Sequence, residues 1–320
     1  MPGTLLLDLA GPLDVFTTAH ALRQPSAAAP QPGYEVVVAA PGQARQVRSN
    51  LGLEITCSVC VTDIQRPIDT LLLVGFSPTE AAEVHADFYE WLREVAPRVR
   101  RIGSVCVGAF ALARSGLLDG KKATTHWEFC DRLQATFPAL RVTPSPYYTR
   151  DGKLYTSGGV SAGMDLALAL VEEDYGRKMA GQVARKLVLY LKRPGNQRQF
   201  GAVLPGYALA QPLAAEVRRW IMANLADALR VDQLAAQLHM SERNFARVFT
   251  KSVGITPAKF VEQLRVEAAQ KYLEDTNLTL TAIAQQCGFG SAGTLHRVFQ
   301  RHVAVAPGDY RAAFQTSLLK

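Results

Sequence analysis

Ser241-Glu-Arg-Asn-Phe-Ala-Arg247-Val-Phe249 and Ser291-Ala-Gly-Thr-Leu-His-Arg297-Val-Phe299 are one phrase written twice, fifty positions apart. The register continues past the phrase, with Pro257 matched by Pro307 and Phe260 by Tyr310. Each copy has the grammar of a helix with an abrupt start and one buried face. Ser241 and Ser291 suit N-caps, because a serine oxygen can accept from the N–H groups that a first turn leaves without a carbonyl. Phe245, Val248 and Phe249 fall at i, i+3 and i+4, as do Leu295, Val298 and Phe299, so each helix carries one apolar stripe. The free face holds Arg243, Asn244, Arg247 and Lys251 in the first copy, and Thr294, His296, Arg297 and Arg301 in the second. A short helix rich in small residues is expected before each, over 231–238 and 280–287, with turns at His239-Met240 and Gly288-Phe289-Gly290. The pattern predicts two helix-turn-helix motifs.

Cationic faces of this kind neutralise phosphates, and an arginine in the major groove can grip guanine O6 and N7 with both of its nitrogens. The candidate DNA-contacting residues are Arg243, Asn244, Arg247, Lys251, Ser291, Thr294, His296, Arg297 and Arg301, and the partner they imply is double-stranded DNA. Two such helices held by one rigid connection are expected to enter successive groove segments about 34 Å apart. A solvated helix face explains any one arginine. It does not explain cap, arginine, aromatic and proline recurring in register.

The words SERNFARVF, GITPAKFVEQLRVEAAQKYLED, LTAIAQQCGFGSAGTLHRVFQRH and VAPGDYR, spread over 214–313, resemble the AraC/XylS family of transcription regulators. The resemblance implies a long linking helix through 264–273 and places Arg243 and Arg247, then Gly293 and Arg297, at base-facing positions. Gly293 departs from the longer polar side chain the family carries there, which shifts that role to Thr294 and His296.

Bulk composition agrees with two globular domains. The chain has 320 residues, 48% hydrophobic and 20% charged, enough for sizeable cores and unlike a disordered chain. Net charge is +7, and the surplus is denser over 211–320, where 13 Lys+Arg face 9 Asp+Glu, as suits a part that meets a polyanion. No apolar run is long enough for a membrane span and no signal peptide is evident. Five cysteines in a long chain argue against a disulfide framework and for a reducing, cytoplasmic setting. Cys57-Ser-Val-Cys60 has metal-site spacing, but no second pair completes it, so two small apolar residues are expected there and no metal.

Before residue 192, apolar runs alternate with helical patterns. Strands are expected over 34–40 and 68–74, helices over 78–96, 107–115, 128–137 and 162–175, and a hairpin over 147–156 around Asp151-Gly152. The fold class is therefore α/β with crossover helices. Within it, Arg101-Ile-Gly-Ser-Val-Cys106-Val-Gly108 runs from a strand straight into a helix. A sharp turn of that kind exposes its central cysteine at the positive end of a helix, where a thiolate is stabilised. His126 ends a short expected strand, and with Asp8 the three could form a nucleophile constellation.

LLDLAGPLDVF, SVCVGAFALARSGLLDGKKATTHWE and YTSGGVSAGMDLALALVEEDYG resemble the class I glutamine-amidotransferase-like, PfpI-type domain of GlxA-like AraC regulators, over nearly all of 3–192. That resemblance implies a flavodoxin-like parallel-sheet sandwich, with Asp8 beside Cys106 and His126 near the same cleft. It allows two readings. In stand-alone relatives such as isocyanide hydratases, the corner cysteine and an acid do chemistry; in the regulator subgroup the domain is a sensor. Val107 stands where hydratase-like relatives carry threonine, which removes a hydroxyl, and favours the sensor. Asp8, Cys106, Val107 and His126 are thus candidate ligand-binding residues, and Cys106, His126 and Asp8 the catalytic set only if there is chemistry. The family pattern also has an apolar strand just before Pro2-Gly3, which a chain starting at Met1 lacks.

The sequence is therefore read as an α/β, flavodoxin-like domain over 1–192 for sensing and dimerisation, a linker over 193–213, and an all-α domain with two helix-turn-helix motifs over 214–320. The expected function is a transcription activator, dimeric, answering a small-molecule effector of the amine or amino-acid kind that relatives suggest, with RNA polymerase as a further partner and no cofactor or membrane. The alternative is a cysteine-dependent hydratase or amidase carrying a DNA-binding tail.

Overall fold

Thr70–Leu73 (β5) and Arg101–Ser104 (β6) lie side by side as parallel strands, and Leu154–Ser157 (β10) continues the sheet in parallel on the far side of β6. Tyr148–Asp151 (β9) closes that edge antiparallel, as the other arm of the Asp151-Gly152 hairpin, giving the order β5-β6-β10-β9. Alternation along the strands sorts the core into two layers. Leu73, Ile102 and Leu154 face a cluster with Phe88, Leu92, Leu112 and Leu133, while Tyr155 faces Val15, Phe16, Leu166, Leu170 and Val171. The first cluster is covered by Ala86–Val95 (α2), Gly108–Arg114 (α3) and Cys130–Thr136 (α4), the second by Leu6–Ala21 (α1) and Ala162–Lys186 (α5). The computed structural model describes residues 2–23, 33–76, 86–201, 203–204 and 211–315. It divides into two units, Met1–Arg193 and Pro194–Lys320.

Smaller pairings complete the first unit. Ala39–Ala40 (β1) pairs with Val59–Cys60 (β4), Gln46–Arg48 (β2) with Glu54–Thr56 (β3), and Lys122–Ala123 (β7) with Arg141–Val142 (β8). One expectation is corrected here. The strand expected over 34–40 reduces to Ala39–Ala40, because Tyr34 is claimed elsewhere: its hydroxyl donates to Asp174 Oδ2 at 2.6 Å and its ring meets Phe16 and Tyr175 edge-on. Asp174 in turn accepts from Arg101, whose side chain is only 2% exposed, so the aromatic residue belongs to a buried charge network rather than to a ladder. The helix expected over 162–175 ends where Gly176 leaves helical geometry, and a second helical segment carries α5 on to Lys186. Of the helix expected over 78–96, residues 78–85 lie outside the described residues. Cys57 and Cys60 are buried in a small cluster with Ala40 and Val47.

The second unit is helical. Pro212–Ala223 (α6) leads into Val231–Gln237 (α7) and Glu242–Val253 (α8), then Pro257–Asp275 (α9), Leu280–Gln286 (α10), Ala292–Val303 (α11) and Pro307–Phe314 (α12). The buried side of α6 is Ala214, Val217 and Ile221; Ala215, expected to be inside, is exposed, a one-residue difference in phase. Residues that read as linker pack on this unit. Gln197 is buried, Leu204 is fully buried with its N–H donating to Glu267 Oε1 at 3.0 Å, and the Phe200 ring meets Phe314 at 5.6 Å.

The repeat is visible in the backbone as well as the sequence. Each first helix ends in a left-handed residue, His239 at φ 52° and Gly288 at φ 71°, and the next N–H returns to the helix: Met240 to Ala235 at 2.9 Å, Phe289 to Ala284 at 2.8 Å. Each second helix also ends left-handed, on Gly254 in one copy and Ala304 in the other. A Cβ is costly in that conformation and glycine is not. Ala304→Gly is accordingly expected to stabilise the unit by about 1 kcal/mol, read as a rise in urea midpoint at unchanged m-value.

Candidate DNA interface and the Cys106 elbow

The two recognition candidates are held alike. Ser241 Oγ accepts the Asn244 N–H at 3.4 Å, and Ser291 Oγ accepts the Thr294 N–H at 3.1 Å, so both serines cap their helices. Phe245, Phe249 and Val253 anchor α8, and Leu295, Val298, Phe299 and Val303 anchor α11. The prolines that follow start α9 and α12 at their first positions, and the aromatic beyond each meets the anchor: Phe249 with Phe260 at 5.2 Å, Phe299 with Tyr310 at 5.3 Å, both edge-on. Between the copies runs α9, 19 residues and so about 28 Å long.

The outward faces differ in electrostatics. Arg243, Asn244, Arg247 and Lys251 are all exposed on α8, and Arg247 Nη2 donates to Asn244 Oδ1 at 2.9 Å, which fixes the direction of the guanidinium. On α11, His296 and Arg297 are exposed, Thr294 is half-buried, and its hydroxyl is 3.0 Å from the capping Ser291. Arg301 is committed elsewhere. It pairs with Glu262 of α9, which also receives His302 Nε2 at 2.6 Å. The residue was reachable from neither copy's motif, because Glu262 lies some forty positions away from its partners.

In the first unit the elbow is built from three segments. Cys106 leaves β6 in a left-handed conformation, φ 56°, and is buried. Asp8, fully buried on α1, accepts the Val160 N–H through Oδ1 at 3.0 Å. Its Oδ2 is shielded from solvent with no well-formed hydrogen bond, and the Cys106 thiol and the Gly75 N–H act on the same carboxyl group. Gly75 makes this approach possible, since a Cβ there would stand 2.2 Å from Asp8 Oδ2 and 3.0 Å from Cys106 Cβ. Sequence reading missed Gly75 and Val160, and also Thr125, whose hydroxyl donates to the Cys106 carbonyl at 2.7 Å. A small residue beside a strand end carries no signal of its own.

The thiolate expected at this corner is not favoured. Burial, and then the charge of Asp8, push the Cys106 thiol up to about 12, outweighing the backbone N–H groups of Val107 and Val160. Asp8 is itself raised to about 6, by burial above all. His126 is held as a cap rather than aimed as a base: Nδ1 accepts the Glu128 N–H at 3.3 Å, and burial lowers its pKa. Val107 lines a cavity of about 80 Å³ whose walls mix the aromatics Phe76, Tyr89, Phe110 and Phe137 with Arg114, Arg132 and Thr136. Among the described residues no three His, Cys, Asp or Glu side chains gather as a metal site would require.

Asp8 makes a pH-dependent contribution whose sign follows from its shift. Unfolded, it titrates near 3.8; folded, near 6. The folded chain holds the proton more tightly, so this group's contribution is fully present below the first value and is lost as pH rises through the second. The loss is on the order of 2–3 kcal/mol. Asp8→Asn, neutral throughout, is expected to gain that amount over the unaltered chain between pH 4 and pH 7.5, measured by urea denaturation at both.

Comparison with known proteins covers both units. The DJ-1/PfpI family matches residues 4–173 and a helix-turn-helix domain matches residues 234–313. The HTH-type transcriptional regulator Rv1931c of Mycobacterium tuberculosis is 30% identical over 78% of this chain and 96% of its own length. The HTH-type transcriptional regulator GlxA of Rhizobium meliloti is 27% identical over 97% of this chain and 94% of its own. The isonitrile hydratase of Pseudomonas putida is 36% identical over 44% of this chain and 60% of its own length. Among the described residues no helix is long and apolar enough to cross a membrane.

Proposed function

We infer the function from the premise that this chain belongs to the DJ-1/PfpI family and joins that domain to an AraC-type helix-turn-helix module: it is a DNA-binding transcription regulator. The observation that carries the reading is the repeat itself, two serine-capped helices with exposed cationic faces at either end of one linking helix. A helix of that length suits neighbouring major-groove segments on one side of a duplex. Arg243, Asn244, Arg247 and Lys251 of α8, with Thr294, His296 and Arg297 of α11, are our candidates for DNA contact.

Beyond that, the regulator is an activator and a homodimer, working with RNA polymerase and answering a small molecule held at the Asp8–Cys106 elbow. The shielded Asp8 Oδ2, which makes no well-formed hydrogen bond, supports an effector with an N–H donor, an amine or amide, since a poorly satisfied buried acceptor gains most from one. The elbow does not act as an enzyme: a thiol raised to about 12 is a poor nucleophile at neutral pH. The similarity to an isonitrile hydratase supports the opposite reading, in which the chain hydrates an isonitrile and Cys106→Ala abolishes turnover.

The test is a mobility-shift titration of the full chain against genomic promoter fragments and scrambled duplex, at rising salt, with and without a panel of amines and amino acids. A preferred fragment, a steep loss of affinity with salt, and a shift with one panel member are expected. Equal affinity for every duplex at low ionic strength would sink the regulator reading. Isonitrile turnover lost with Cys106 would sink the non-enzymatic one.

A further inference from the structure

Of the four residues after β10, three touch three of the elbow candidates, Cys106, His126 and Asp8. The Gly158 carbonyl accepts the Cys106 N–H at 3.1 Å. Gly159 lies against the His126 ring, where a Cβ would stand 2.0 Å from a ring carbon. The Val160 N–H donates to Asp8 Oδ1 at 3.0 Å. Ser161, the fourth, is bound to something else: its Oγ accepts from Arg193 Nη1 at 3.0 Å.

Arg193 is the last residue of the first unit. Its side chain is 20% exposed, pairs with Asp165 at 2.6 Å, and lies 4.0 Å from the centroid of the Tyr147 ring. Tyr147 belongs to the same assembly, because its carbonyl accepts the Gly158 N–H at 2.7 Å. The effector elbow and the residue that leads toward the DNA-binding unit are thus fastened to opposite ends of one short turn.

That turn holds a residue in an uncomfortable state. Val160 has φ 51°, left-handed, where a β-branched side chain is a true outlier. Such a conformation persists only where its surroundings over-determine it. The bond from its own N–H to Asp8 is one of the constraints that do so here.

We propose that the turn over 158–161 is a latch that reports the state of Asp8 to Arg193, and so couples effector binding to the start of the connection with the DNA-binding unit. This rests on the reading of the elbow as the effector site. An effector N–H that binds Asp8 Oδ2 turns the carboxylate toward itself and draws Oδ1 away from the Val160 N–H. Once that bond is lost Val160 relaxes toward extended backbone, Ser161 moves with it, and Arg193 loses part of its seat. Coupling of this kind is reciprocal, so release of Arg193 loosens the elbow in return.

Hydrogen exchange of the full chain, followed by mass spectrometry, tests the latch without an effector. Asp8→Ala is expected to speed exchange at 158–161 and also at 187–192, each by about tenfold or more, while a peptide over 101–104 keeps its protection. Asp8→Asn keeps a carbonyl to accept the Val160 N–H and should stay near the unaltered chain. Arg193→Ala should speed exchange over 158–161, which a merely local role would not do. Val160→Gly, which holds the bend without strain, should return 187–192 to slow exchange in the Asp8→Ala background.

Faster exchange over 158–161 in Asp8→Ala with 187–192 unchanged overturns the latch. So does an Arg193→Ala chain that loosens 187–192 alone, and this second variant decides the matter if Asp8→Ala does not fold. The regulator reading fails separately, on promoter binding. A chain that selects a promoter yet shows uncoupled exchange loses only the latch; one that selects none, with exchange coupled, keeps the latch and loses the regulator reading.

Discussion

A Gly288→Ala chain is expected to lose about 3 kcal/mol of stability in its second unit. Two costs add. Gly288 sits at φ 71°, where a Cβ strains the backbone, and that Cβ would stand 2.4 Å from the Leu225 carbonyl oxygen and 2.6 Å from Arg265 Nη2. Neither obstacle yields easily. The carbonyl is main chain, and Arg265 is tied through Nη2 to the Asp227 carbonyl at 2.6 Å. Against a domain stability of roughly 5–15 kcal/mol such a loss removes a large share. The matching position in the first copy makes the control: His239 shares the left-handed conformation but is exposed, so His239→Ala should be nearly silent. Urea denaturation followed by helical circular dichroism reads both, and equal effects at the two positions would show that the Leu225 contact is not what matters.

Removing Arg247 and Arg297 together is expected to weaken promoter binding on the order of a thousandfold, from about 1–3 kcal/mol at each if both read bases and the two sites act independently. Both are exposed on the outward faces of α8 and α11. Arg301→Ala supplies the contrast. Its guanidinium is already paired with Glu262, so its removal should cost much less affinity than either of the others. Titrations against the preferred fragment and scrambled duplex, at several salt concentrations, separate the roles. Loss confined to the preferred fragment assigns base reading. Equal loss on both, with a shallower salt slope, assigns phosphate contact and removes the specificity claim.

What the sequence could say about these sites depended on how far apart the partners lie. The caps, apolar stripes and turns of the two copies are local, within a few residues of each other, and the repeat doubled their signal. The sandwich was legible through strand and helix patterns and through family phrases around Asp8 and Cys106. Long-range pairings were not. Tyr34 reads as the start of a strand until Asp174, 140 positions on, takes its hydroxyl. Cys106 reads as a thiolate at a helix start until α1 brings Asp8 beside it, and burial with a like charge reverses the shift. Ala214 and Ala215 are indistinguishable in an apolar stripe, and only packing chooses the phase.

Glu262 gives the repeat a handedness that its near-identical phrases conceal. By pairing with Arg301 it withdraws cationic charge from α11 and none from α8, so the two halves are expected to approach a polyanion with unequal strength. On a duplex such a module is expected to have a front and a back.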